Sequence, residues 1–400
     1  MMLPQALIPG LLPLLLAGAT ALSGAQDAPR ATHTLLDAQR GYLDITLRSI
    51  DDGALVHSGV GGRDRRVDLS DVLALVPAHA QAGDAPSAPL APDIENGTVV
   101  FELTDGSRAA GVLLAPGDDT VLARVAGLGE RGLPIGSLAL VRVDQAGDAK
   151  LTQLRSSTEA GENSDDRVLL RNGDVVEGFV LALGAGGVEI DTDGRVRTIA
   201  LELVAGIAFA NPATSSAVPL AGLADGRVVA IGVDAPLAVP AGSIEPGELV
   251  WLAAPGERVT ALATLAALEP RPPEPGLRRR WVPETAIASP RDTPGGLGEI
   301  VLNGPQRWTL DLPTSGVPRR LGLRVGVPDS PWSDLRLTLR TAETVLADLS
   351  LSGAGERARD LLLDLPPGAR TLTFEIGEGR FGPVRDELRI RLGHLAPIAE

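Results

Sequence analysis

The amino-acid sequence predicts an all-β protein, in which several small β-barrels in tandem are followed by a larger β-sandwich. Three observations support this fold class. The 47 glycines and 32 prolines interrupt the 400-residue chain too often for long helices. Apolar and polar residues alternate over short runs, as they do in strands with one buried face. Turn dipeptides such as Asn-Gly and Asp-Gly separate these runs and favour hairpins.

Residues 1–25 are predicted to be a secretory signal peptide. The apolar stretch from Leu7 to Leu22 ends in small residues, and Ser-Gly-Ala at 23–25 fits a cleavage site. An uncleaved anchor is the alternative, and no later segment has the length and apolar character of a membrane span. We therefore expect a secreted or periplasmic protein of the bacterial cell envelope.

The best-formed barrel unit is predicted at residues 165–211. An apolar run at 168–170 meets the turn Asn172-Gly173-Asp174, and an alternating run follows over 175–181. Two further strands lead to a closing apolar segment. Approximate copies occupy 33–79, 95–145 and, in eroded form, 216–268. A unit of about 45 residues buries little surface alone, so neighbouring units are expected to pack together or share strands.

Linkers are predicted between these units and after them. The segment 78–92 is rich in Ala and Pro, 145–166 is polar and acidic, and a proline-rich linker at 269–277 ends the series of barrels. Residues 278–400 then carry six alternating runs separated by Pro, Gly and Asp turns, at 321–327, 335–339, 345–351, 361–365, 372–376 and 388–392. Such spacing is typical of a β-sandwich.

The composition argues against several classes of function. The net charge of −15 disfavours nucleic acid as a partner, because nucleic-acid binding depends on basic residues that neutralise phosphates. The chain has no cysteine, which excludes disulfides and thiolate metal sites. His33, His57 and His79 lack the spacing of a metal motif, and the glycine-rich segments are interpreted as turns. We predict no cofactor, no metal site and no catalytic residues, and hence a protein that is not an enzyme.

The C-terminal region resembles a known family. The segment from Arg324 to Asp329 and the alternating runs at 335–339, 345–348, 361–365 and 372–376 resemble the NPCBM family of carbohydrate-binding modules. This resemblance implies a galactose-binding-like jelly roll of the kind often attached to secreted glycoside hydrolases. The whole layout, with SH3-like or Sm-like small barrels ahead of this module, resembles secreted proteins of planctomycete-type bacteria.

Sugar binding usually requires flat aromatic surface and a few fixed polar groups. Three of the four tryptophans, Trp281, Trp308 and Trp332, fall in the C-terminal module. The candidate ligand-binding residues are Trp308, Asp329, Trp332 and Asp386. Trp332 follows Asp329 in a predicted loop, whereas Trp308 lies in an alternating strand and fits a core position as well.

Two functions are consistent with the sequence, and the oligomeric state stays open. The first is a non-enzymatic secreted protein that binds a carbohydrate or cell-surface glycan through its C-terminal module. The second is a structural or protein-interaction scaffold of the bacterial envelope without sugar binding, whose partner is an envelope protein. The low aromatic content of 2% favours the scaffold. So does a departure from the family pattern, since Asp386 is followed by Leu388 and Ile390 rather than by an aromatic residue.

Overall fold

The computed structural model describes residues 32–398 except for residues 40, 52, 60–61, 79–97, 118, 144–147, 160–163, 215, 233–234, 257, 269–273, 276–285, 288–296 and 381–385. The predicted signal peptide, His79, Trp281 and most of the predicted linker at 269–277 lie outside the described residues. The described part is built mainly from antiparallel strands, so the prediction of an all-β protein is confirmed. No helix in this part is long and apolar enough to cross a membrane.

Three five-stranded units follow one another along the chain. Unit 1 contains β1 (His33–Asp37), β2 (Gly41–Asp51), β3 (Ala54–Ser58), β4 (Asp64–Asp68) and β5 (Val72–Pro77). Unit 2 contains β6 (Thr98–Leu103), β7 (Arg108–Gly117), β8 (Thr120–Val125), β9 (Gly129–Pro134) and β10 (Leu138–Arg142). Unit 3 contains β11 (Asp166–Leu170), β12 (Val175–Gly184), β13 (Gly187–Thr192), β14 (Arg195–Ile199) and β15 (Val204–Ala208).

The three units share one pattern of antiparallel pairing. The first strand of each pairs with both the second and the fifth, and the second, third and fourth strands form a meander. The long second strand is interrupted by a register shift at 47–49, 113–116 and 180–182, respectively. An extra residue of this kind bends a strand and increases its twist. One strand can therefore serve both halves of a small curved sheet.

A fourth, shorter unit contains β16 (Leu220–Leu223), β17 (Val228–Ile231), β18 (Ala238–Val239) and β19 (Leu249–Ala253). Its first strand again pairs with the second and with the last, whereas β18 is only two residues long and runs parallel to β17. Short 3-10 turns precede the last strands of units 2, 3 and 4, at Ile135–Ser137, Leu201–Leu203 and Ala241–Ser243.

The four units share their hydrophobic cores in pairs. One core joins units 1 and 4, and β5 pairs with β19 through Leu75 opposite Leu252. A second core joins units 2 and 3, and β10 pairs with β15 through Val141 opposite Ile207. A single unit of about 45 residues buries too little apolar surface to be stable alone, and pairing about doubles the size of each core.

A helix occupies part of the segment in which the sequence predicted a linker between units 2 and 3. This helix, α1 (Asp148–Glu159), packs through Leu151, which is completely buried. Gly206 makes the close approach possible, because a Cβ there would lie 2.4 Å from Leu151 Cδ1. Arg155 donates hydrogen bonds from Nη1 to the carbonyl oxygens of Phe209 (3.0 Å) and Asn211 (2.8 Å), and these bonds fix the helix on unit 3.

The C-terminal region is a two-layered β-sandwich. Its strands are β20 (Thr260–Ala261), β21 (Glu274–Pro275), β22 (Ala286–Ile287), β23 (Ile300–Asn303), β24 (Gln306–Asp311), β25 (Arg319–Gly326), β26 (Asp334–Arg340), β27 (Val345–Ser352), β28 (Ala358–Asp364), β29 (Thr371–Glu378) and β30 (Glu387–Pro397). One sheet has the order β22-β23-β30-β25-β28, and the other has the order β21-β24-β29-β26-β27. Inward-facing residues of both layers form one core.

Residues beyond the predicted sandwich boundary add to it. The strand β20 pairs with β30, and the helix α2 (Leu262–Leu268) places Leu262 in the sandwich core, although the sequence assigned both to the fourth unit. Unit 1 also contacts the sandwich directly. The Tyr42 hydroxyl donates to the carbonyl oxygen of Leu392 (3.2 Å), and the Arg324 guanidinium lies 5.5 Å from the Tyr42 ring centroid.

Candidate functional site

Four connections of the sandwich meet at one of its ends. Because the strands alternate in direction, the links β23–β24, β25–β26, β27–β28 and β29–β30 all fall on the same side. Backbone hydrogen bonds tie these links together: Gly304 N donates to Asp386 O (2.6 Å), Val327 N to Arg357 O (2.9 Å) and Gly353 N to Ser333 O (2.7 Å). We call this surface the loop end of the sandwich.

The loop between β25 and β26, residues 327–333, has a fixed conformation. Ser330 N donates to the carbonyl oxygen of Pro328 (2.8 Å), and Ser333 N donates to that of Ser330 (3.0 Å). Gly353 of the neighbouring turn packs directly on this loop, since a Cβ there would lie 1.9 Å from Ser330 O. Such close backbone contact leaves no room for another residue type. The backbone of this loop is therefore held by contacts within the sandwich.

Two of the four predicted site residues are exposed on this loop. The Trp332 side chain is 60% exposed, although large aromatic residues usually lie largely buried. The Asp329 side chain is 81% exposed, and one of its oxygens lies 3.1 Å from Arg357 Nη1. The loop thus presents a flat ring and, three residues before it, a carboxylate that pairs with Arg357 of the neighbouring β27–β28 turn.

The other two predicted residues are buried. Trp308 is 3% exposed, and its ring centroid lies 5.3 Å from that of Phe374 in the sandwich core. A ligand has no access to either face of Trp308 in this structure, so its contribution is to packing. Asp386 is also buried, at the start of β30, where its carbonyl oxygen accepts the hydrogen bond from Gly304. The structure therefore brings Asp329 and Trp332 together on the surface and places the other two residues beneath it.

A cleft of about 540 Å³ adjoins Asp329 on the outer face of the first sheet. Two rows of residues across β28, β25 and β30 form its floor. The first row consists of Ala358, Gly326 and Arg389, and the second places Arg324 next to Arg391. The small residues of the first row leave a gap that the long arginine side chains surround.

The arginines around this cleft carry fixed ion pairs. Arg324 donates two hydrogen bonds to the Asp360 carboxylate, at 2.7 and 3.0 Å, and these bonds raise the pKa of the guanidinium. Arg324 also lies over Tyr42, whose own pKa is raised by burial. Arg324 therefore joins the sandwich to unit 1. These arginines could not be assigned to one cleft from the sequence, because alternation shows that residues share a face but does not show which strands lie side by side.

Outside the loop end and the adjoining cleft, the described residues form weaker candidates for a functional site. No group of three or more His, Cys, Asp or Glu side chains in the described part is placed to hold a metal ion. His33 and His57 are buried, and burial lowers the pKa of His33. The segment Asp191 to Gly194 is a tight hairpin turn, with positive φ at Asp193 and Gly194. A second cleft of about 640 Å³, between units 1 and 4, is mainly apolar and includes Pro219, Pro240, Pro255 and Arg258 in its lining.

No family model and no curated protein matches the chain. Solved structures with a partial likeness include carbohydrate-binding modules. The tandem CBM51 modules of a family 98 glycoside hydrolase from Streptococcus pneumoniae are 14% identical, with a TM-score of 0.25, and the match covers 75% of this chain and 88% of that one. CBM51 from Clostridium perfringens GH95, solved with methyl-galactose, is 13% identical, with a TM-score of 0.22 and coverage of 31% and 79%.

Another solved structure contains the CBM51-2 and INT domains of Clostridium perfringens ZmpB in complex with GlcNAc. It is 11% identical with a TM-score of 0.23, and the match covers 26% of this chain and only 22% of that one. Likenesses with TM-scores this low carry no argument for the function of this chain. Function is therefore inferred from Trp332 and the Asp329–Arg357 pair at the loop end.

Proposed function

We propose that this chain is a secreted, non-enzymatic protein of several β domains whose sandwich binds a carbohydrate at its loop end. The observation that carries the proposal is Trp332, a tryptophan 60% exposed on a loop whose backbone is hydrogen-bonded to itself and to the neighbouring turn. Leaving so large an apolar ring in water has a cost, and a pyranose face is a suitable partner for it. The Asp329–Arg357 pair beside it supplies both acceptors and donors for sugar hydroxyls.

The rest of the proposal follows from the sequence and the strand order. Export rests on the signal-like residues 1–25 and on a cysteine-free composition, and points to a secreted or envelope location in planctomycete-type bacteria. Units 1 to 3 are proposed to be SH3-like or Sm-like barrels. Support comes from the first strand, which pairs with both the second and the fifth strand in each unit. In this proposal the barrels are structural and recognition belongs to the sandwich.

Affinity electrophoresis of the full chain in gels that contain soluble polysaccharides tests the proposal. We expect at least one polysaccharide to retard the wild-type chain, and Trp332→Ala to remove that retardation. Phe179→Ala is the matched control, because Phe179 is an aromatic residue 64% exposed on β12 of unit 3, away from the sandwich. Absence of retardation across plant, algal and bacterial polysaccharides, or equal retardation of Trp332→Ala, would contradict the proposal.

One observation favours the second candidate, a scaffold that binds a protein partner. Phe179 and Val196 lie in one row across β12, β13 and β14, on either side of Asp191, and both are more than half exposed. Exposed apolar residues grouped in this way are typical of interaction surfaces. If no saccharide binds, cross-linking of the chain in envelope extracts, with Phe179→Asp as the variant that should lose its partner, becomes the decisive experiment.

A further inference from the structure

The cleft beside Asp329 is rich in arginine, although the chain has a net charge of −15. Four arginines contribute to its lining, at positions 324, 357, 389 and 391, whereas Asp329 is the one acidic residue in the same lining. Each of these arginines lies near an acidic side chain, respectively Asp360, Asp329, Glu387 and Glu299. Because a guanidinium has more N–H groups than one carboxylate oxygen occupies, arginines gathered on one concave surface can still bind a negatively charged ligand.

The floor of the cleft has the shape that such a ligand needs. Gly326 lies directly between Ala358 on β28 and Arg389 on β30, in one row across the three strands. Neighbouring strands are about 4.8 Å apart, so roughly 10 Å separates the two outer positions of this row. A Cβ at Gly326 would lie 3.2 Å from Arg357 O and would begin to fill the gap. The glycine thus keeps open a space that a carboxylate or sulfate group can enter.

The guanidinium groups are oriented by acids outside the lining. Arg389 Nε lies 2.5 Å from Glu387 Oε1, and Arg391 Nε lies 2.8 Å from Glu299 Oε1. A guanidinium has five N–H donors in a fixed plane, so the acid at Arg389 Nε fixes that plane without occupying the terminal N–H groups of Arg389. In the described part of the chain, Arg389 pairs through Nε alone. Its Nη groups therefore remain as donors at the edge of the cleft.

We propose that this arginine-rich cleft recognises an anionic group on the bound saccharide, either the carboxylate of a uronic acid or a sulfate ester. Arg389 is assigned as the main ligand of that group, since bidentate hydrogen bonds from guanidinium match both anions. Arg357, whose Nη1 lies 3.1 Å from an Asp329 oxygen, is assigned as a second ligand through its other N–H groups. Arg324 is excluded, because Asp360 already holds it. This inference rests on the proposed function, with Trp332 stacking on a sugar ring adjacent to the charged one.

Isothermal titration of the full chain with three probes tests the proposal. The probes are trigalacturonate, its fully methyl-esterified form, and a κ-carrageenan tetrasaccharide, which carries sulfate but no carboxylate. We expect an acidic probe to bind at least about tenfold more tightly than the neutral ester, because a hydrogen bond to a charged group is worth that much or more. The affinities for trigalacturonate and for the carrageenan probe show whether the site prefers a carboxylate or a sulfate. Binding of the acidic probe should weaken as the salt concentration increases.

Four variants test which residues bind the anionic group. Arg389→Gln should weaken the acidic probe about tenfold or more and leave the neutral ester unchanged. Arg357→Gln should weaken the acidic probe more than the neutral ester, because Arg357 also faces sugar hydroxyls. Arg336→Gln is the control, because it removes the same charge from an exposed position on β26 of the opposite sheet. Ala358→Leu fills the cleft from an exposed position without changing any charge, and should block the acidic probe even if Arg389→Gln fails to fold.

The two proposals fail in different ways. Equal affinity for trigalacturonate and its methyl ester, with no effect of Arg389→Gln or Ala358→Leu, overturns the anionic site. Under that result, Trp332-dependent binding still supports the proposed function. Absence of binding by all three probes and by the wider polysaccharide panel overturns both. Weakening of the acidic probe by Arg336→Gln to the same extent as by Arg389→Gln would indicate a general charge effect, and would also overturn the assignment.

Discussion

Replacement of Trp332 by alanine should weaken saccharide binding about tenfold without destabilising the fold. A fully covered tryptophan buries about 200 Å², so a ring that is 60% exposed offers roughly 120 Å² to a ligand. A pyranose that covers half of this surface removes about 60 Å² from water, which at about 25 cal/mol per Å² is ~1.5 kcal/mol, or about tenfold in Kd. Trp332→Phe retains part of the ring and should lose about threefold.

Isothermal titration with a saccharide that retards the wild-type chain measures the change in Kd. The midpoint of thermal unfolding should not move, because substitutions at exposed positions usually change stability by less than about 0.5 kcal/mol. Phe179→Ala, at an exposed aromatic position of unit 3, should leave both quantities unchanged. A folded Trp332→Ala variant whose Kd lies within about twofold of the wild-type value would refute the stacking argument.

Three further predictions concern buried residues that stabilise the fold, namely Leu151, Asp166 and His394. Leu151→Ala should cost about 2.5 to 5 kcal/mol in urea unfolding, because it leaves a cavity under α1, and a loss below about 1 kcal/mol would contradict the docking of that helix. Asp166 accepts hydrogen bonds from Val180 N (2.9 Å) and Ala210 N (2.7 Å), so Asp166→Ala should cost about 2 to 4 kcal/mol. Burial raises the pKa of Asp166, so its contribution to stability should be largest below the ordinary Asp range and decline as the pH rises through the folded-state pKa, a trend that Asp166→Asn should lack. Burial lowers the pKa of His394, so stability should fall as the pH drops from about 6.5 through the folded-state pKa, and urea midpoints at pH 7.5 and 5 should differ less in His394→Asn.

Period-two alternation predicted the strands of the sandwich well. Each of the six predicted runs lies in one of the strands β25 to β30, with only the last residues of the first and fourth runs beyond the strand ends. Alternation reports which residues share a face, and in an antiparallel sandwich that face is buried against the other layer. The same signal predicted Trp308 equally well as core, and the structure places it there. Alternation along the chain was therefore sufficient to predict the strands that bury one face against the other layer.

The sequence did not predict which barrel units pair with each other. Nothing in a strand such as β5 indicates that Leu75 lies opposite Leu252 of β19, because the partner is 177 positions away and several similar apolar strands compete for it. The helix α1 was missed for a related reason. It carries only Leu151 and Leu154 as apolar contacts in a polar segment, which is a weak periodic signal.

The candidate site was predicted in part. Trp332 and Asp329 were found because Pro and Ser around them favour a loop, and aromatic residues are rare in this chain. Arg357 and Arg389 were not found, since they reach the cleft from a turn and from the last strand, and only the folded sheet brings them to Gly326. Asp386 was selected by resemblance and is buried beneath the loop end.

A crystal structure of the full chain grown with a saccharide that it binds would test the central claim most directly. The account predicts density for a sugar ring stacked on Trp332, with sugar hydroxyls within hydrogen-bond distance of Asp329 or Arg357 and any anionic group within hydrogen-bond distance of Arg389 or Arg357. Density for the saccharide on units 1 to 4, in the apolar cleft between units 1 and 4, or on the sandwich away from the 327–333 loop would contradict it.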